Sequence, residues 1–531
     1  PAHILEVRIH NLFSPSSLNK LKKEILSHPQ VSFSPSNVSC ITVLQSARTE
    51  NMVTAMDPQH YIEDKVFDLS TSSSQHRNTL MHMIKSCGKL KNLNKARLLH
   101  SQSKHLIPQD IYITVSVLSM LAKCGAMKEA VEIFEQLPKR TVVPWNSLIS
   151  GHVQNGQPEL AMKCFLQMQD EGVSPDSITL TCILKACGSL GSLEIGTKIH
   201  ALIEEKGLLQ QDVMLGNTLV NMYCKFGLIG KAHEILEQFP KRNVASWSAL
   251  IAGYAQHGHG EEALKCFYSM QNEGILPDSV SFICILKACG SIGSLKIGEE
   301  IHAEVKKLDL LEKDIGLGTT LVDMYAKCGA LGRAQELFEE LPEKDVVSWN
   351  VLISGYAHRG DGNAALNCFR RMSDEGVSPS SVTFISALKA CGMVGSLEMG
   401  QFIHEEIKKK GLLEKDIMLG NTLVDMYAKC GMLGKAFAVF HKLPKRDVVS
   451  WNALITGYTQ HGHDDSALEC FREMVDKGVT PNIVTFTCAL KVCGSIGALE
   501  IGEEIHVTAK KQTLLEKDIM LGNTLVDMYA K

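Results

Sequence analysis

The chain has 531 residues, 45% of them hydrophobic, 21% charged and 6% aromatic, and 54 Lys plus Arg stand against 58 Asp plus Glu for a formal charge of -4. This composition excludes a disordered or collagen-like chain, and it lacks the overall basic excess that advertises a nucleic-acid partner. No apolar run approaches the roughly 18 residues of a membrane helix, so no membrane partner is expected.

Residues 1–76 form a non-repeat segment rich in Ser, with nine in the first 50 residues, but poor in Arg and containing acids, which makes it a weak match to an organelle targeting peptide. Repetition begins beyond it. Trp145, Trp247, Trp349 and Trp451 are each 102 residues apart, as are Tyr223, Tyr325, Tyr427 and Tyr529, and His200, His302, His404 and His506. One unit is copied in tandem. A shorter hairpin at about 77–110 and a 31-residue one at 111–141 precede triplets at 142–243, 244–345 and 346–447, and a last one at 448–531 stops inside its third segment. The chain starts at Pro1 and ends thirteen residues into a further hairpin, so a longer parent protein is expected.

Each triplet divides into segments of 35, 36 and 31 residues, and each segment predicts two helices. In 448–482, Trp451, Leu454, Ile455 and Tyr458 fall at i, i+3, i+4 and i+7 before Gly462. Asp464 or Asp465 is then expected to cap a second helix carrying Ala467, Leu468, Phe471 and Met474, which Gly478 and Pro481 end. Phe486, Ala489, Leu490 and Cys493 repeat the stripe in the second segment, and Leu423, Met426, Tyr427 and Cys430 in the third. A hairpin this short cannot bury its apolar face alone. Thirteen complete hairpins must therefore stack into an all-α solenoid. All of the seventeen cysteines but Cys40 and Cys224 follow the repeat, as in the Cys-Gly pairs of Cys187, Cys289, Cys391 and Cys493, so they read as reduced, small apolar residues and not as a disulfide scaffold.

The stretches VVSWNALITGYTQHG, TFTCALKVCGSIGALEIGEEIH and LGNTLVDMYAKCG resemble the P, L and S motifs of plant pentatricopeptide repeat (PPR) proteins of the PLS subclass, and the match covers about residues 77–531. That resemblance implies a right-handed superhelix that binds single-stranded organellar RNA, one base per repeat, and directs site-specific cytidine-to-uridine editing in mitochondria or chloroplasts. It implies no cofactor. In the family the fifth and last residues of a repeat meet the base edge and the second packs on the base face. The fifth follows the buried stripe by about 100° and is expected to point into the groove.

Carried over residue by residue, Asn146 with Asp176 resembles a uridine reader, Ser248 with Asp278 a guanosine reader, Asn350 with Ser380 a cytidine reader and Asn452 with Asn482 a pyrimidine reader. Among S motifs, Asn217 with Asn243 suggests a pyrimidine, Thr319 with Asp345 guanosine and Asn421 with Asp447 uridine, while the partner position of Asn523 falls beyond Lys531. The L motifs carry Thr181, Ile283, Ile385 and Thr487 at the fifth position with Asp212, Asp314, Asp416 and Asp518 last, and they are expected to read weakly. The implied target from residue 142 is U-n-Y-G-n-G-C-n-U-Y, where Y is a pyrimidine.

Each of these readings has a plainer rival. A single Asn or Ser in a hairpin is usually a solvated or capping residue. The histidines at 102-residue spacing read as packing residues, since three hairpins separate one from the next. His259-Gly260-Glu261, His302-Ala303-Glu304 and His404-Glu405-Glu406 match half of a zinc deaminase signature, but no Cys-x-x-Cys accompanies them, so neither a metal nor catalysis is expected in this chain. A deaminase is then expected in trans or beyond Lys531. Lys408, Lys409 and Lys410 read as solvated helix surface. The rival function is a solenoid adaptor that holds a protein along its groove.

Overall fold

A computed structural model describes residues 74–531 except 105, 108, 109, 313, 513, 516 and 517; the non-repeat segment expected at 1–76 lies almost wholly outside the described residues. Among those residues there are twenty-seven α-helices and no strand. They pair into thirteen hairpins, from Ser74–Leu90 with Leu93–Ser103 to Ile483–Ile496 with Leu499–Lys511, followed by the single helix Ile519–Ala530.

The hairpin Val448–Gln460 with Asp464–Asp476 shows why the sequence folds this way. Asp447 accepts from the Ser450 backbone N–H in a capping box and starts the first helix, and Gly462, at φ +71, turns the chain where an L side chain would be strained. Trp451, Leu454 and Ile455 are fully buried, so the predicted stripe is the core face. The second helix departs from expectation: its N-cap is His463, without a side-chain bond, and Asp464 and Asp465 both lie in the first turn. Their carboxylates act there on the positive end of the helix dipole.

The chain forms two compact units, one ending at Ala288 and the other beginning at Cys289. In each, the first helix of a hairpin packs on its own second helix and on the first helix of the next hairpin. In the first unit Ile111–Lys123 meets Val142–Gln154, which meets Ser177–Leu190; in the second Ile417–Lys429 meets Val448–Gln460, which meets Ile483–Ile496. Each unit is thus an α-solenoid of stacked helical repeats.

Two contacts hold the register between an S hairpin and the next P hairpin. The Trp451 ring meets Phe440 edge-on at 4.6 Å, and Trp349 meets Phe338 likewise at 4.6 Å. Six residues further along the helix the backbones close up: a Cβ at Gly457 would sit 2.5 Å from the Ala428 Cβ. All sixteen cysteines within the described residues are free thiols, and burial pushes those of Cys187 and Cys391 up to about 12, so they pack as inert apolar groups.

Gly457→Ala is therefore expected to destabilise the second unit by about 1–3 kcal/mol through overpacking. Gly434→Ala, on a helix and with nothing within 4 Å of the added carbon, should instead stabilise by up to about 1 kcal/mol. Guanidinium denaturation followed by circular dichroism distinguishes the two, and equal shifts would contradict the close-approach argument.

Candidate functional site

The last residue of nearly every P and S segment caps the first helix of the next hairpin. Asp176, Asn243, Ser380, Asp447 and Asn482 do so in full capping boxes, Asp345 accepts from the backbone N–H of Val347 and Ser348, and Asp278 accepts from that of Ser281 at 2.8 Å. The four leading amides of a helix have no internal partner, so this polar side chain is held where the helix needs it. The capping role that the plainer reading gave to the fifth residue belongs to the last one.

The fold then brings the fifth residue of the preceding hairpin onto that cap. Asn146 Nδ2 donates to both carboxylate oxygens of Asp176 at 2.9 and 3.0 Å, Asn350 Nδ2 to Ser380 Oγ at 3.2 Å, and Asn452 Nδ2 to Asn482 Oδ1 at 3.0 Å. In the S segments Asn421 Nδ2 donates to Asp447 Oδ1 at 3.0 Å and Asn217 Nδ2 to Asn243 Oδ1 at 3.4 Å. Ser248 reaches Asp278 only through Ser281, with oxygens 2.8 and 2.7 Å apart. Thr319 and Asp345 are not joined: Asp345 is engaged with the two backbone amides it caps. Asn523 is exposed on Ile519–Ala530.

These fifth residues are more recessed than their helical position predicts. Asn146, Ser248, Thr319 and Asn421 are buried, Asn217, Asn350 and Asn452 half-buried. The first helix of the next hairpin packs alongside and covers their stems.

A third side chain, which sequence reasoning missed, orients the amide. The hydroxyls of Thr179, Thr383 and Thr485 donate to Asn146, Asn350 and Asn452 Oδ1 at 2.6, 2.5 and 2.6 Å. With Oδ1 accepting from threonine and one N–H given to the last residue, each of these P-segment amides keeps one N–H. In the S segments the corresponding Ser246 and Ser450 turn back to their own caps, and the Oδ1 atoms of Asn217 and Asn421 are buried without a partner. The signal was available: Ser or Thr stands three residues after the last position at 179, 246, 281, 348, 383, 450 and 485. Burial by itself raises the Asp176 carboxyl, but bonds from the Thr179 backbone N–H and the Asn146 amide outweigh it and hold the pKa below the ordinary value.

At the second helical position of most P and S hairpins stands an exposed apolar side chain, among them Val143, Met214, Val347, Met418 and Val449, all more than half exposed. The family position was named from the sequence, but these residues were not. Ala245 and Gly316 interrupt the series.

The L-segment aspartates are engaged locally: Asp212 and Asp416 accept from the two backbone amides that follow, Asp314 from Leu317 and Asp518 from Leu521, and the Thr487 hydroxyl donates to its own helix at Ile483. No bond joins them to Thr181, Ile283, Ile385 or Thr487 among the described residues. His200, His302, His404 and His506 each pair through Nδ1 with a tyrosine hydroxyl 23 residues on, at 2.9, 2.8, 2.9 and 3.1 Å. Among the described residues no three His, Cys, Asp or Glu are placed to hold a metal ion. Lys408 and Lys409 face Glu405 and Glu406, and Lys410 donates to the Pro379 carbonyl.

These features define a tandem-repeat helical solenoid that presents one ordered polar pair and one exposed apolar side chain at most of its P and S hairpins. The PPR repeat family pattern matches residues 140–189, 242–291, 344–393 and 446–495, and the PPR repeat pattern matches 114–142, 217–244, 319–346 and 421–448. Among relatives from Arabidopsis thaliana, the chloroplastic pentatricopeptide repeat-containing protein At4g18520 is 32% identical over 84% of this chain and 73% of its own length. Protein At5g27110 is 35% identical over 85% of this chain and 65% of its own, and the mitochondrial protein At3g09040 is 34% identical over 88% and 45%. The chain belongs to the pentatricopeptide repeat family, and it spans less than two thirds of the length of the last two of these relatives. The crystal structure of the pentatricopeptide repeat protein PPR10 in complex with an 18-nt psaJ RNA element matches with a TM-score of 0.63 at 16% identity, over 92% of this chain and 75% of that one.

The threonine bond makes a prediction. Thr383→Val keeps the shape but leaves Asn350 Oδ1 recessed without its donor, at a cost of about 1–3 kcal/mol. Thr487→Val removes only a bond to its own helix and should cost under about 1 kcal/mol. Denaturant midpoints of the two variants measure the difference.

Proposed function

We propose that this chain reads single-stranded RNA sequence-specifically, one base per P and S hairpin, as a PLS-type protein that directs cytidine-to-uridine editing of mitochondrial or chloroplast transcripts. The observation that carries this reading is the direct hydrogen bond between fifth and last residues in five hairpins, each beside an exposed apolar second residue. PPR10 is an RNA-bound protein of similar fold, and two of the relatives carry mitochondrial or chloroplastic names. The alternation of 35-, 36- and 31-residue segments supports the PLS assignment, and editing rests on that assignment. The chemistry itself falls to a deaminase acting in trans or lying beyond Lys531.

The pairs explain the choice of base. In Asn146 with Asp176 the amide offers its remaining N–H to a uracil carbonyl oxygen, and the carboxylate, an acceptor only, takes the uracil N3–H. Cytosine presents a bare N3 at that place and is repelled by the carboxylate. Ser380, whose hydroxyl donates as well as accepts, admits cytosine beside Asn350. Thr319 with Asp345 suits guanine, whose N1–H meets the carboxylate and whose O6 meets the hydroxyl. The apolar second residues then cover the base faces, while the L segments, without a joined pair, act as spacers.

Selection from a randomised single-stranded RNA library at near-physiological salt should enrich U-n-Y-G-n-G-C-n-U-Y. A pool without a motif, or binding that depends only on salt, would point instead to a protein adaptor. Exchange of Asn350→Thr together with Ser380→Asp should move the seventh base from C to G, by about fivefold or more if one base is worth about 1–3 kcal/mol. An unchanged seventh base would overturn the pair assignment.

A further inference from the structure

The His–Tyr junction recurs four times along the 102-residue repeat, and in three of them the second helix of the S hairpin follows. In each, a histidine on the second helix of an L hairpin bonds a tyrosine on the first helix of the following S hairpin. A basic residue from the second helix of that S hairpin stands nearby: Lys231 lies over the Tyr223 ring at 5.7 Å and Lys435 over Tyr427 at 5.9 Å, while Arg333 occupies the equivalent position beside Tyr325.

The charges around this core differ. Beside His200, a Glu204 carboxylate oxygen lies 3.3 Å from the second ring nitrogen. Beside His302, Glu299 binds Arg333 in an ion pair and Glu340 adds a second carboxylate facing the imidazole. In the third copy, the positions 102 residues on from Glu299 and Glu340 carry Gln401 and Lys442. Lys435 thus loses its acidic partner, and a second ammonium replaces the second carboxylate.

There the junction opens into a cavity of ≈ 310 Å³, lined by Gln401, His404, Glu405, Tyr427, Lys435 and Lys442, with Ala438 and Val439 at its wall. Burial, with Lys408, Lys442 and Lys435 nearby, lowers the pKa of His404 despite Glu405, so the ring is neutral at neutral pH. The Tyr427 hydroxyl lies 2.9 Å from Nδ1 and hydrogen-bonds the ring there. The one carboxylate at the rim, Glu405, faces Lys408 at 3.9 Å. The cavity therefore gathers an imidazole, an amide and two ammonium groups around an apolar wall.

We propose that this cavity is a binding site for a phosphate monoester dianion, held by Lys435 and Lys442 with hydrogen bonds from His404 and Gln401. The volume exceeds that of inorganic phosphate and accommodates a small organic group on the ester oxygen. A phosphorylated side chain and a free phosphate share this chemistry. The site stands apart from the fifth and last residues and does not depend on RNA reading.

Isothermal titration calorimetry with inorganic phosphate, and separately with N-acetyl-phosphoserine amide, tests the proposal. One saturable site per chain is expected, and affinity should fall at least tenfold in the variant Gln401→Glu/Lys442→Glu. That variant carries the residues of the preceding triplet at these positions, so the fold is retained. The reciprocal variant Glu299→Gln/Glu340→Lys should raise the stoichiometry from one site to two. Tenfold tighter binding of the phosphoserine compound identifies a phosphorylated side chain as the natural occupant, and equal binding identifies free phosphate. Absence of saturable binding, survival of binding in Gln401→Glu/Lys442→Glu, or an unchanged stoichiometry in the reciprocal variant overturns it.

Discussion

The constraint on which this molecule depends is the unsatisfied N-terminal amides of each first helix. Nearly every hairpin opens with an acceptor at one position, and after the P and S segments Asp, Asn or Ser fills it in all but the helix that follows Thr141. Capping fixes that side chain to within a hydrogen bond. Because consecutive first helices stack, the fixed acceptor lies against the fifth residue of the hairpin before it, and a local requirement of helix chemistry becomes a contact between hairpins. In the proposed reading, the same contact faces the base. The acceptor is thereby restricted to residues that cap well, which is why the last position draws on Asp, Asn and Ser.

Such a contact is useful only if its geometry recurs, and the packing supplies this. The Trp–Phe edge contact and the near-touching backbones at Gly457 and Ala428 leave little freedom for one first helix to slide on the next. Gly355 and Ala326 repeat the arrangement, with a Cβ at the glycine 2.9 Å from the alanine Cβ. Where the aromatic partner is missing, Leu236 stands in place of Phe, and the Trp247 indole donates within its own hairpin to Glu273 at 3.0 Å, whereas the indole nitrogens of Trp145, Trp349 and Trp451 are buried unpaired. Apolar contact therefore sets the register, and the polar pair exploits it.

Helical periodicity made the thirteen hairpins legible, since Trp451, Leu454 and Ile455 at helical spacing could hardly face anything but a core. Segment lengths gave the stacking. What the residues did not disclose is where a side chain ends up once a neighbour arrives: the recessed fifth residues follow from the adjacent first helix, which no single-helix projection contains. The Thr179, Thr383 and Thr485 hydroxyls were missed for the same reason, because they act on a residue 33 positions earlier in the chain. The second-helix cap was misplaced because Asp464 and Asp465 are good caps intrinsically, yet the turn closes one residue before them at His463.

A tandem repeat also carries its own comparison. Positions that stay the same in every triplet, such as the Trp of the P hairpin and the His–Tyr pair, are bonded to other parts of the stack and answer to packing. Positions that change from copy to copy while the packing around them holds are released from that duty. The last residues Asp278, Ser380 and Asn482 vary within the set that can cap, so capping permits the variation without explaining it. At the L–S junction the change from Glu299 and Glu340 to Gln401 and Lys442 reverses the local charge around an unaltered His–Tyr pair. Stability does not require that reversal, because the acidic version packs the same way. The charge is free to answer to a ligand, and a basic cavity in a chain of net charge -4 owes nothing to the overall composition.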